Sequence, residues 1–132
     1  MLKRLDHVGV IVDDLEEASR FLSGMGMQHD RDLEVPGRLK AAFYRCGDAK
    51  VEVIEIIDPE ERTKRLGSEK ARIEHIALEV DDLTTTIQAL EGLGVRTQTA
   101  DPVRVGPNLN FWTVADTCDG VVYQLLQRQP QG

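Results

Sequence analysis

Hydrophobic and polar residues alternate through "LDHVGVIVDDL", residues 5 to 15, with Val8, Val10 and Val12 on one side and His7, Gly9 and Ile11 on the other. A period of two predicts a half-buried strand. The period then lengthens to that of a helix in "LEEASRFLSGMG", with Asp14 where a helix N-cap belongs and glycine where the helix should stop. The same text returns at residues 73 to 83 as "IEHIALEVDDL", followed by "LTTTIQALEGLG", so that His75 stands 68 positions after His7 and Asp82 after Asp14. Repetition of a strand, a helix and a turn at one offset means that one structural unit is used twice.

After each predicted helix come three short extended runs, "MQHDRDLEV", "LKAAFYRCG" and "KVEVIEII" in the first copy and "VRTQTADPV", "LNFWTV" and "GVVYQLLQ" in the second. The expected organisation is one domain over residues 1–132, with a first module at about 1–58, a polar linker with one short helix at 59–71 and a second module at about 72–128. The tail "RQPQG" is expected to be loose. Helices that follow the first strand of each module can cover only one sheet face, so the valines pack beneath them and the histidine face stays open. The fold class is therefore α+β, two paired βαβββ modules forming a concave mixed sheet with helices on its outer face. An open concave face is a natural ligand cup.

Composition narrows the partners. The chain has 132 residues, 41% hydrophobic and 30% charged, enough to bury one core. A net charge of -7 with scattered Lys and Arg argues against nucleic acid and anionic membranes. No run approaches a membrane span or a signal peptide, which predicts a cytoplasmic protein. Cys46 and Cys118 lie far apart without metal-knuckle spacing and read as free thiols. Arg38, Lys40 and Arg45, on or before the third strand, are candidates to receive an anionic substrate or are an ordinary solvated edge. His29, without a repeat partner, reads as surface.

These repeated modules resemble the vicinal oxygen chelate superfamily, which includes glyoxalases, methylmalonyl-CoA epimerases, extradiol dioxygenases and bleomycin-type resistance proteins. The resemblance covers nearly the whole chain and is nearest to the epimerases. It implies a divalent metal held by one residue from the first and one from the last strand of each module: His7, Glu52 in "VEVIE", His75 and Gln124 in "GVVYQLL". Alternation supports Glu52 independently, since it shares a face with Ile54 and Ile56 while the competing Glu55 points the other way. Gln124 lies in an otherwise apolar strand, where a buried amide needs a partner.

Two imidazoles, a carboxylate and an amide oxygen suit Zn, Co, Ni or Mn, or Fe in a dioxygenase. The implied activity is that of an isomerase or epimerase, removing a proton α to a carbonyl while the metal stabilises the enolate of a small substrate with vicinal or enolisable oxygens. Glu52 is the first candidate for the base and Glu34, in "LEVPG", the second. The epimerases usually write Gln in the first module and Glu in the second; here the two are exchanged. "TVADTCDG" also lacks the Lys and Ser that epimerases often carry between the last two strands, which puts an acyl-CoA substrate in question. A glyoxalase-type lyase, an extradiol dioxygenase and a non-catalytic binding protein remain alternatives. The family's habit implies a homodimer.

Overall fold

The computed structural model describes residues 2–129. The expected loose tail falls largely on Pro130–Gly132, outside the described residues. The elements run β1 (Leu2–Val12), α1 (Leu15–Gly24), β2 (Gln28–Val35), β3 (Leu39–Cys46), β4 (Ala49–Ile56), α2 (Pro59–Arg65), β5 (Ala71–Val80), α3 (Leu83–Glu91), β6 (Val103–Val105), β7 (Asn108–Trp112) and β8 (Val122–Gln127), with a 3-10 turn at Ala115–Thr117. Strand, helix and three strands thus occur twice, with the linker helix between them. The eight strands are hydrogen-bonded in the order β2-β3-β4-β1-β5-β8-β7-β6, a mixed sheet, and the fold is α+β as expected. Among the described residues no helix is long and apolar enough to cross a membrane.

Two compact units emerge, His7–Glu74 and Met1–Asp6 with His75–Gly132, so that β1 and β5 each run through both. In the first, β1 pairs parallel with β4, and β3 lies antiparallel between β4 and β2. In the second, β5 pairs parallel with β8, and β7 lies antiparallel between β8 and β6. The second module's first extended run is shorter than expected. "VRTQTADPV" yields one isolated bridge, Thr97 to Thr113, and then only the three-residue β6. Thr97 and Thr99 turn their hydroxyls back onto nearby backbone carbonyls, local bonds that compete with ladder pairing.

Helix ends follow from local chemistry. Asp14 is extended and accepts from the Glu17 amide, Asp82 does the same for Thr85, and each satisfies one amide the helix itself cannot. Gly26 and Gly94 adopt φ of 103° and 87°, which a side chain would resist, so both copies leave the helix at the same point of the repeat.

The apolar alternation decides what packs beneath the helices. Val12, Ala42, Tyr44 and Val53, with Val10 and Val51, pack against Leu22, Leu15 and Ala18 of the α1 region. In the other unit Val80, Phe111 and Leu125 pack against Leu83 and Ile87 of α3. The opposite face of the first unit is closed at one end by Ile11, Ala41, Ile54 and Ile56 under Leu66, the residue that ends α2. Asp58 caps α2, and Arg62 ties it to the carbonyls of Asp13 and Ile56. Burying these apolar groups gives roughly 25 cal/mol per Å² removed from water, which is what holds a charge-rich chain folded.

Candidate metal centre

The parallel register of β1 and β4 sets His7 opposite Lys50 and Gly9 opposite Glu52. His7 and Glu52 therefore share a face, offset by one pleat. In the other unit β5 and β8 repeat this arrangement, with His75 opposite Val122 and Ala77 opposite Gln124. The four side chains expected as ligands thus stand at equivalent places in two copies of one strand pair, and all four are buried. Ladder geometry, rather than any feature of the loops, positions them.

His7 Nε2 lies 3.3 Å from Glu52 Oε1. The imidazole is further held by the edge-on ring of Phe43, with centroids 5.4 Å apart and planes at 86°. Phe43 is opposite Glu52 in the β3–β4 ladder, so the ring and the carboxylate line the same face. In the second unit His75 is buried in the same way, 5% exposed against 4% for His7. A buried imidazole and carboxylate as close as His7 and Glu52 are donors of the kind that suit a divalent ion, whose bonds to them run near 2 Å.

Gln124 adds an amide whose orientation is specified by a partner that sequence reasoning missed. Its Nε2 donates to Asn110 Oδ1 at 2.9 Å, and Asn110 Nδ2 donates in turn to the Val103 carbonyl at 3.3 Å. Asn110 is only 2% exposed. With its nitrogen turned to Asn110, the Gln124 amide has its oxygen left to offer. The available signal was alternation in "NLNFW", since Asn110 and Trp112 take the face of Gln124 in the β7–β8 ladder.

Glu55 points away, and its Oε1 accepts from the Leu15 amide at 2.9 Å, serving the start of α1. Glu34 is exposed, and β2 sets it opposite Lys40, itself opposite Glu55. The register thus puts Glu34 on the Glu55 face and leaves Glu52 as the carboxylate beside His7.

Buried charge also gathers in the second unit. Glu79, 5% exposed, meets Lys3 at 3.6 Å and both Arg4 and Arg128 at 3.4 Å, and Arg128 also binds Asp6. Glu79 takes the place that Ile11 holds in the first copy, so the repeat is apolar there in one module and ionic in the other. Arg65, at the end of α2, makes a two-pronged bond to Glu74, both contacts 2.6 Å, and this carboxylate raises the guanidinium pKa further. Cys46 and Cys118 are free thiols.

With this geometry in place, the family is decided by a match over residues 6–113 to the description "Glyoxalase/Bleomycin resistance protein/Dioxygenase superfamily". The chain belongs to that superfamily. It is 29% identical over 133 residues to the mitochondrial methylmalonyl-CoA epimerase of Mus musculus, covering 96% of this chain and 74% of the relative. It is also 28% identical to the uncharacterized protein YqjC of Bacillus subtilis, covering 99% and 95%. Among solved structures, the methylmalonyl-CoA epimerase of Mycobacterium tuberculosis superposes with a TM-score of 0.85 at 22% identity, covering 98% of this chain and 90% of that one. That likeness establishes the shared fold.

Proposed function

We propose that this superfamily member is a divalent-metal-dependent isomerase of the epimerase type, exchanging the proton α to a carbonyl on a small substrate. The observation that carries the reading is the buried pair of His7 and Glu52 at 3.3 Å, with His75 and Gln124 buried at the equivalent places of the second strand pair. Similarity to the mouse epimerase supports the reaction class.

His7, Glu52, His75 and the Gln124 oxygen would hold the ion. When bound, a dication there supplies Lewis-acid polarisation of substrate oxygens. The chain's own residues do the rest. Glu52 takes the α-proton: the C–H bond breaks, its electron pair passes into the adjacent carbonyl system, and the proton rests on a carboxylate oxygen. Glu52 returns the proton: to the same face, it exchanges the hydrogen; once the planar carbon has turned its other face to the carboxylate, it inverts the centre. His7, braced by Phe43, holds Glu52 in place, and Asn110 keeps the Gln124 oxygen directed away from its own partner. Phe43 and the other apolar side chains lining this face exclude water, so that charge interactions in the site are weakly screened.

Metal analysis of the purified chain, followed by a substrate panel in deuterium oxide, tests the reading. The expected result is about one dication per site and incorporation of deuterium at the α-carbon of an enolisable substrate. A chain that takes up no dication, or one that takes it up and exchanges no α-proton across the panel, refutes it. We further propose a cytoplasmic homodimer with each metal centre built within one chain; a stable monomer in light scattering would remove the dimer.

A further inference from the structure

The β2–β3 ladder slips between His29 and Arg31, and Asp30 is left without a partner in the register. An extra residue in one strand places consecutive side chains on the same face and re-aims them. Asp30 consequently reaches Arg45 at 2.8 Å and Lys50 at 3.2 Å, two residues that the β3–β4 ladder sets on the face of Phe43, Glu52 and His7. Arg31 lands opposite Phe43, and its guanidinium carbon lies 4.1 Å from the centre of that ring. A contiguous series results: Arg31 over Phe43, Phe43 edge-on to His7 at 5.4 Å, and His7 beside Glu52 at 3.3 Å.

The three cations differ in what they have left to bind. Arg45 and Lys50 are spent on Asp30, whose carboxyl they hold below the usual carboxylate range. Arg31 has a ring to lie on and, among the described residues, no hydrogen-bond acceptor and no ion-pair partner for its N–H groups. Stacking fixes the plane of a guanidinium while leaving its donors directed outward, which is how arginine is readied for a planar or tetrahedral oxyanion. With two further cations against one carboxylate nearby, the local field favours an anion as well.

We infer that Arg31 anchors an anionic group of the substrate, a carboxylate or a phosphate, at the end of the His7–Phe43 series away from the reacting carbon. The substrate class follows: a compound with an enolisable carbon at the metal centre and a separate oxyanion some atoms away. This inference rests on the proposed reaction centre for its meaning, but its binding step is measured without turnover. The sequence hid it because simple alternation assigns Arg31 by phase alone, and the slip changes the phase.

The test uses the full chain, with and without added dication, titrated with inorganic phosphate, with malonate and with neutral propionamide, followed by NMR at the Arg31 Nε–H and the Phe43 ring. One or both anions should shift these signals while propionamide does not, and the tighter probe identifies phosphate or carboxylate as the source. Arg31→Met keeps an unbranched chain over Phe43 and removes the charge, and it should weaken anion binding by tenfold or more, as expected for one charge-assisted bidentate contact. Arg20→Met, a change of an exposed cation on α1, should leave it unchanged. Equal affinity of Arg31→Met and the unaltered chain overturns the inference, as does an Arg31 signal that neither anion moves. A chain that binds no dication yet still binds the anion through Arg31 overturns the proposed function and leaves the anchor standing.

Discussion

Asn110→Leu removes the acceptor that Gln124 Nε2 reaches at 2.9 Å, in a place where Asn110 is 2% exposed and Gln124 9%. A buried donor left without a partner costs about 1–3 kcal/mol, and the loss of the longer Asn110 bond to Val103 adds a smaller amount, so a destabilisation of about 2–3 kcal/mol is expected. For a domain of this size that corresponds to a fall in Tm of roughly 6–15 °C. The assay is urea and thermal unfolding of the metal-free chain, carried through a double-mutant cycle with Gln124→Leu. Removing both polar groups leaves no orphaned amide, so the double variant should be less destabilised than the two single changes added together, by about 1 kcal/mol or more. In parallel, Asn110→Leu should weaken dication binding by about 10- to 100-fold, the usual effect of losing a group that orients a ligand. Strict additivity of the two changes, or unaltered metal affinity in Asn110→Leu, would refute the claim that Asn110 specifies which way the Gln124 amide points.

Glu52→Gln should retain much of the metal, because an amide oxygen still coordinates, while α-proton exchange falls by about 10²- to 10⁴-fold; full exchange with metal bound would demote Glu52 from base to ligand and turn the search to Glu34. His75→Ala should lose metal and activity together, as read by metal analysis and deuterium exchange on the same preparation. Gln124→Glu should bind the dication at least as tightly as the unaltered chain in a competitive chelator titration, since it adds a negative charge to the donor set. Arg45 and Lys50 favour ionised Asp30, so this clamp contributes fully above the ordinary carboxylate pKa of about 3.9 and is lost as pH falls through the lowered value. A carboxyl NMR titration should therefore find the Asp30 midpoint depressed, and Arg45→Gln should raise it.

Much of the molecule was legible because its determinants are local. A two-residue period assigns faces without reference to any other strand, and so Glu52 could be separated from Glu55 from the text "VEVIEI" alone. Asp14 and Asp82 mark helix starts because a carboxylate can satisfy an amide three residues away within the same segment. Repetition of "DHVGVIVDDL" as "EHIALEVDDL" implied equivalent strand pairs, and the registers of His7 with Glu52 and of His75 with Gln124 are indeed the same.

What remained for tertiary structure depends on pairing between distant segments. The slip at Asp30 follows from how β2 meets β3, and alternation within β2 cannot announce it; yet that slip decides that Arg31 lies over Phe43 and Glu34 lies opposite Lys40. The Asn110 contact to Gln124 joins residues on two strands whose register sets Trp112 opposite Gln124. The Glu79 cluster likewise needs Lys3, Arg4 and Arg128 brought from both ends of the chain. Short-range preferences choose faces and ends, whereas a strand's register is a choice among alternatives whose energies depend on the whole set of cross-strand contacts.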